Sequence, residues 1–277
     1  MATTPSLTAF ERDTAVAPAG DGVWQATISD QWTVPRGGPN GGYVAALVLR
    51  ALQDAVADPE RAPRSLTLHY LRPPAAGQPA TVEVTVERAG RSLTTLSARL
   101  VQDGRVMVLA LAAFAVDFPT VLDYATPAPP EIGTPPDGLI TLPEDADVPP
   151  IGHRTAIAPV FGSGALTGSD EALVGGWLRL AEPRIADAAA VAFYADAWLP
   201  TAFARLTEAT PAPTVDLTIH FRARLPHPGL APEDPVLARF SSSTSAGGFF
   251  EEDGWIWAPD GTLLAQSRQL ALLIPGR

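Results

Sequence analysis

The chain has no cysteine among its 277 residues, which removes disulfides, thiolate metal ligands and cysteine nucleophiles together and fits a reducing compartment. It is short of positive charge, with 19 Lys and Arg against 30 Asp and Glu and a formal net charge of −11. Such a field repels phosphate backbones at long range, and no Lys/Arg cluster interrupts it, so nucleic acid is not an expected partner. A small anion remains compatible, because a few local arginines can hold one against the net field. No apolar run is long enough for a bilayer. The longest strongly apolar stretch, Val106 to Val116, falls short of the about 20 residues that a spanning helix needs. Met1 to Val16 carries Thr, Glu, Arg and Asp where a secretory leader needs an unbroken apolar core, so the expected location is cytoplasmic.

Familiar nucleophile and nucleotide motifs are missing too. The nearest string to a Gly-x-Ser-x-Gly elbow, Phe161-Gly162-Ser163-Gly164, lacks the first glycine. The glycines at Gly37 have neither a Gly-Lys-Ser/Thr ending nor Gly-x-Gly-x-x-Gly spacing. His69, His153, His220 and His227 show no metal-ligand spacing. Nothing in the sequence calls for a cofactor or a metal.

What is present is a repeat. Leu66-Thr67-Leu68-His69-Tyr70 is echoed 151 positions later by Leu217-Thr218-Ile219-His220-Phe221, with Arg72 and Arg222 close behind. Asp103-Gly104 and Asp260-Gly261 each introduce a long apolar final segment, at an offset of 157. A helix candidate precedes each echo, Gly41 to Asp54 in the first copy and about Asp196 to Leu206 in the second. Hydrophobic residues make up 46% of the chain, enough for two packed cores.

The first helix, from Tyr43-Val44-Ala45-Ala46-Leu47-Val48-Leu49 to Leu52, is apolar nearly all round and must be enclosed. Val82, Val84 and Val86 alternate with Thr81, Glu83, Thr85 and Glu87, as in an antiparallel strand with one buried face. Val106 to Val116 lacks alternation and reads as a central strand buried on both sides. The expected fold is α+β: a tandem double hotdog, each unit a long central helix wrapped by a curved antiparallel sheet of about five strands. Asp117 to Pro150 holds nine prolines and cannot pair in a sheet, so it reads as a linker. The expected division is a first unit at 1–117, a Pro-rich linker at 118–152 and a second unit at 153–277.

These residues resemble the double-hotdog acyl-CoA thioesterases of the bacterial thioesterase II type. The resemblance rests on Tyr194-Ala195-Asp196, Thr214-Val215-Asp216 and the stretch from Asp260 through Gln266-Ser267-Arg268-Gln269. It implies hydrolysis of an acyl thioester to free acid and CoA, with Asp196, Thr214 and Gln269 orienting the water. It places Asp196 at a helix start and Thr214 at a strand start. The Gly37-Gly38-Pro39-Asn40-Gly41-Gly42-Tyr43 loop is similar to the glycine-rich start of the first helix in related sequences, which makes Gly41, Gly42 and Tyr43 candidate substrate contacts. Arg222, Arg224 and Arg268, the arginines nearest the trio in sequence, are candidate partners for the CoA phosphates.

The chemistry fits the residue types. Water attacks a thioester slowly, so a base must take its proton while donors stabilise the oxyanion. Each residue also has a plainer role: Asp196 as a helix cap, Thr214 as a strand opener, Gln269 as a structural amide. Strand parity places Thr214 with Asp216 and Thr218 on the more polar face, unless the strand bends there. The first copy has Pro63 and Ala112 in place of Thr214 and Gln269 and is expected to be silent, contributing a wall and its Gly-Gly helix start. A hotdog hydratase or dehydratase is the enzymatic alternative, although no His follows Asp196 before His220. A non-catalytic acyl-CoA or acyl-carrier binding protein is the other. A homodimer is expected, while acyl-chain type and the carrier of the thioester are not legible.

Overall fold

The computed structural model describes residues 7–35, 38–125, 129–130 and 133–275. Gly37 of the glycine-rich loop, residues 1–6 of the amino terminus, and 126–128 and 131–132 of the expected linker lie outside them. In chain order the first half holds α1 (Ala9–Asp13), β1 (Ala17–Gly20), β2 (Val23–Thr27), α2 (Gly41–Val56), β3 (Ala62–Tyr70), β4 (Pro79–Ala89), β5 (Leu93–Gln102) and β6 (Arg105–Ala115). The remainder holds β7 (Ile140–Thr141), β8 (Thr155–Phe161), β9 (Ala172–Leu180), α3 (Ala188–Tyr194), α4 (Ala202–Arg205), β10 (Thr214–Phe221), β11 (Val236–Ser242), β12 (Ser245–Ala246), β13 (Phe249–Trp257) and β14 (Leu263–Leu272).

Among the described residues all strands join one antiparallel sheet of 14 strands, in the order β1-β2-β4-β5-β6-β3-β10-β14-β13-β11-β9-β8-β7, with β12 paired to β13. The order is nearly a palindrome. Read inward from either end, β2-β4-β5-β6-β3 is matched by β9-β11-β13-β14-β10, so two hotdogs meet edge to edge at β3 and β10. That joint buries two strand edges that would otherwise expose unpaired backbone groups. The sequence repeat lies at this joint and pairs with itself: Leu66 faces Ile219, Thr67 faces Thr218 and Leu68 faces Leu217.

Helix α2 is enclosed as its composition requires. Tyr43 through Leu49, Ala51 and Leu52 are all buried, against the inner sheet face and α3. Asn40 caps it, its side-chain oxygen accepting from Tyr43 N–H at 2.9 Å.

The second helix departs from the sequence reading. It does not begin at Asp196. α3 starts eight residues earlier at Ala188, where Asp187 caps it, runs through the helix-favouring Ala188-Ala189-Ala190-Val191-Ala192, and ends at Tyr194. The chain resumes a single turn at α4, so Asp196 lies in a break between two short helices. Pro200 supplies the reason: its ring would collide with the carbonyl four residues back, which is that of Asp196. The freed Asp196 carbonyl accepts instead from Asn40 Nδ2 of the first unit at 2.7 Å.

Two smaller corrections follow. β6 alternates after all: Val108, Ala110, Ala112 and Phe114 are buried, whereas Leu109 and Leu111 on the outer face are 38% and 53% exposed. An apolar sequence on both strand faces does not ensure that both are covered. Within the Pro-rich segment, Ile140 and Thr141 fall between prolines and pair with Ile157 and Ala156 as β7. Leu139 beside them packs on the outer-face cluster of Trp177, Leu237 and Trp257. Among the described residues no helix is long and apolar enough to cross a membrane.

Candidate active site

The break after α3 delivers Asp196 to the amino-terminal end of α2. Its Oδ2 accepts from Gly42 N–H at 2.9 Å and from Asn40 Nδ2 at 3.1 Å. Asn40 therefore caps the first unit's helix with its oxygen and grips the second unit's aspartate with its nitrogen. The two glycines are a matter of room. A Cβ on Gly41 would stand 2.8 Å from Asp196 Oδ2, and one on Gly42 would stand 2.5 Å from the Phe193 carbonyl oxygen and 3.0 Å from Asp196 Cβ. Tyr70, from the end of β3, donates its hydroxyl to the Gly41 carbonyl at 2.8 Å. Tyr43 is placed elsewhere than its neighbours Gly41 and Gly42. Its ring stacks on Trp32 at 5.6 Å, and its hydroxyl donates to Asp13 O and accepts from Ser29 N–H inside the first unit.

Thr214 and Gln269 are joined directly, the Thr214 hydroxyl donating to Gln269 Oε1 at 3.0 Å. Simple alternation had put Thr214 on the polar face. A β-bulge between Thr214 and Asp216 reverses this: Leu217 pairs with Gln269 in regular register, but Thr214 pairs with Ala271. The extra residue turns Thr214 onto the inner face shared by Leu217, Gln269 and Ala271, one of the known uses of a bulge. Gln269 is only 4% exposed. Its amide nitrogen donates to Glu252 Oε1 at 2.6 Å, and Glu252 Oε2 accepts from Thr201 N–H at 2.7 Å.

Glu252 was not among the residues singled out from sequence. It stands in sequence between Glu251 and Asp253, and the signal that could have found it is the parity it shares with Phe250 and Gly254.

Burial pushes the Asp196 carboxyl up, and the nearby Glu252 charge pushes it further, to about 7, while Gly42 N–H and the Gln269 amide pull the other way. Asp196 is thus half ionised near neutrality, which suits a group that takes and returns a proton. Glu252 is itself raised by burial, with the Thr201 N–H and the Gln269 amide opposing. The Tyr70 hydroxyl is raised by burial and then by the Asp196 charge, and stays protonated.

The matching positions of the first unit are apolar. Pro63 stands for Thr214 at an equivalent bulge, Ala112 stands for Gln269, and Leu96 faces Ala112 as Glu252 faces Gln269. Where α2 meets Asp196, the start of α3 meets Arg50: Arg50 and Asp187 form an ion pair at 3.0 Å. Arg184 bonds the same carboxylate at 3.1 and 2.9 Å. One polar constellation results, built from both units.

The three arginines do not join it. Arg268 alternates with Gln269 and lies on the outer sheet face, bonded to Asp253 at 2.6 and 2.5 Å. Arg222 and Arg224 follow the end of β10 that is opposite Thr214, roughly 26 Å away at about 3.3 Å per residue. Arg224 there donates to Pro59 O at 2.9 Å and lies 3.5 Å from Glu60. Closeness in sequence does not bring Arg222 and Arg224 to the trio, because a strand carries its two ends far apart. Arg72, two residues beyond Tyr70, is an exposed cation at the site end of β3, its Nη1 donating to Val106 O at 2.9 Å. Among the described residues no cluster of His, Asp and Glu could hold a metal ion.

Comparison with known proteins agrees with this architecture. Along 98% of its length the chain is similar to a conserved protein of unknown function with a hotdog fold from Alicyclobacillus acidocaldarius, of which all is covered, at 26% identity and a TM-score of 0.84. It is similar to a candidate thioesterase II from Thermobifida fusca at 27% identity, with 98% of each chain covered and a TM-score of 0.78. The fold is also that of acyl-CoA thioesterase II TesB2 from Mycobacterium marinum, at 22% identity, 97% and 98% coverage and a TM-score of 0.74. Among curated proteins none matches the chain by sequence. The model of the acyl-CoA thioesterase N-terminal domain matches residues 28–115, and that of the acyl-CoA thioesterase C-terminal domain matches residues 126–273. The two domains stand in family order and take in well over half of the sequence, so the chain belongs to the acyl-CoA thioesterase family.

Proposed function

We propose that the protein hydrolyses acyl-CoA thioesters, with Asp196 as the general base and Thr214 and Gln269 as the groups that hold the attacking water. The observation that carries this reading is the convergence of Asp196, from a helix break, on a Gln269 already bonded to Thr214, with the start of α2 closing the site. Asp196 accepts a proton from water as the water oxygen bonds to the thioester carbon. The tetrahedral intermediate collapses by breaking the C–S bond, and the proton on Asp196 is available to the departing thiolate. The positive end of the α2 dipole favours both the ionised carboxylate and the developing oxyanion. Gly42 N–H already serves Asp196, so the glycines here support the base more directly than the acyl carbonyl.

The test is thiol release from a panel of acyl-CoA and acyl-carrier-protein thioesters. Turnover that saturates and is abolished by heat supports the reading, and a folded protein that releases no thiol from any of them defeats it. We further propose units at 1–117 and 153–277 joined at 118–152, a cytoplasmic location and a homodimer. The exposed Leu109 and Leu111 offer apolar surface for association, and a monomeric mass by light scattering at micromolar concentration would count against the dimer.

A further inference from the structure

Glu252 is a buried carboxyl group to which the mechanism above gives no task. It is 5% exposed, faces Gln269 across β13 and β14, and has both carboxyl oxygens occupied, by Gln269 Nε2 and Thr201 N–H. A buried carboxylate opposes folding unless it is bonded, and replacing such a group by an apolar one of similar size is often neutral or favourable. The first unit makes that comparison within the same chain. It has Leu96 at the matching place, buried opposite Ala112, so the hotdog sheet does not need a carboxylate there. The acid occurs in the unit that also has the amide and the hydroxyl.

We infer that Glu252 is a positioning residue for thioester hydrolysis: by accepting from Gln269 Nε2 it sets the orientation of the Gln269 amide, and through it that of the Thr214 hydroxyl and the attacking water. The inference rests on the thioesterase reading of this site. Both Glu252 oxygens accept, Oε1 from Gln269 Nε2 and Oε2 from Thr201 N–H, so the amide nitrogen faces Glu252 and the amide oxygen faces Thr214. The Thr214 proton is then committed to Gln269 Oε1, at 3.0 Å, which leaves the Thr214 lone pairs to accept from water. The second amide proton of Gln269 is left for Asp196 or its water. Thr201 N–H, at the start of α4, holds Glu252 in turn, so the break that exposes Asp196 also anchors the group that orients its partners. The Glu252 charge adds to the field at Asp196, where Tyr70 is the other titratable group close by, and the charge of Glu251, next along β13 but on the opposite face, raises Glu252.

The test compares wild type, Asp196→Asn and Glu252→Gln by thiol release from one acyl-CoA between about pH 5 and 9, with kcat and KM separated. Glutamine keeps the size but can donate as well as accept, so the orientation of the Gln269 amide is no longer imposed. We expect kcat of Glu252→Gln to fall roughly 10- to 100-fold, the scale of a misplaced orienting group, with KM unchanged. The acid limb of its pH profile should move to lower pH, because a negative charge beside Asp196 has gone. Wild-type kcat and an unmoved acid limb in folded Glu252→Gln overturn the positioning role and leave the thioesterase reading intact. No turnover by wild type, or full turnover by Asp196→Asn, overturns that reading and this inference with it. Should Glu252→Gln fail to fold, the wild-type protein decides by NMR. A Gln269 side-chain amide proton shifted downfield and slow to exchange supports the contact, and an ordinary, freely exchanging one overturns it.

Discussion

Thr67 and Thr218 face each other across β3 and β10 with their hydroxyl oxygens 3.1 Å apart, and they are the same residue of the two repeats. Antiparallel pairing is self-complementary, so two copies of one strand can pair about a local twofold axis through this contact. The axis brings the start of α2 from one unit against the end of α3 from the other. The single polar constellation is a consequence of that arrangement, and its asymmetry is chemical: Asp196, Thr214, Glu252 and Gln269 on one side, Pro63, Leu96 and Ala112 on the other.

Asp196→Asn is expected to lower kcat by about two to four orders of magnitude, the scale of lost general-base assistance, while Gly42 N–H and Asn40 keep an oxygen to bond. Its effect on stability should run the other way. The folded carboxyl is raised from 3.8 to about 7, so the stability linked to its protonation is complete below about pH 4 and is lost as the pH rises through 7. Wild type therefore bears an ionised, half-buried carboxylate above neutrality. The asparagine variant should be more stable than wild type at pH 8 by up to about 4 kcal/mol, a gap that closes toward pH 4. Chemical denaturation at the two pH values checks the sign.

Gly42→Ala sets two effects against each other. Alanine in a helix is favoured over glycine by about 1 kcal/mol. Here its Cβ would lie 2.5 Å from the Phe193 carbonyl oxygen, a backbone atom that cannot swing aside. Overpacking of this kind costs roughly 1 to 3 kcal/mol, so net destabilisation is expected in a thermal melt. Turnover should fall with it, since any shift of the α2 start moves the N–H bonded to Asp196.

Asp187→Ala probes the matching junction, where no chemistry is expected. Burial raises the Asp187 carboxyl, but the bonds from Arg184 and the charges of Arg50 and Arg184 outweigh it and hold it below the usual range. Its stabilisation is present above about pH 4 and is lost as the pH falls further. The variant loses the α3 cap, which bonds Ala190 N–H at 2.9 Å, and both arginine contacts. A loss of roughly 2 to 3 kcal/mol at pH 7 is expected from a cap plus a half-buried ion pair, with kcat per folded molecule unchanged. Urea titration together with active-site-normalised rates would show whether the two quantities separate.

Replacing Arg222, Arg224 and Arg268 together by Gln should leave KM for acyl-CoA within about twofold of wild type, since none lies at the constellation and Arg268 is engaged with Asp253 on the outer face. Arg72→Gln is expected to raise KM by about 5- to 20-fold if this exposed cation at the site end of β3 meets a CoA phosphate. Initial-rate kinetics over a range of acyl-CoA concentrations distinguish the two sets.

The amino-acid sequence by itself determined what depends on local pattern. The all-apolar face of Tyr43 to Leu52 required an enclosed helix, alternation marked the strands, and the echo of Leu66 to Tyr70 in Leu217 to Phe221 announced two equivalent units. Asp196, Thr214 and Gln269 came as candidates from the resemblance to the thioesterase II family, and comparison of the two copies set Pro63 and Ala112 apart from them. Tertiary structure decided everything that depends on distance across the sheet. The bulge that turns Thr214 inward is a matter of register with β14, which no single strand specifies. The break at Asp196 is signalled by Pro200, but the earlier start of α3 is set by burial against α2. Glu252 is hidden between two acidic neighbours, Glu251 and Asp253, because only the folded sheet distinguishes an inward carboxylate from a solvated one. The arginines near the trio in sequence were separated from it because a strand of eight residues spans roughly 25 Å and presents alternate side chains to opposite faces.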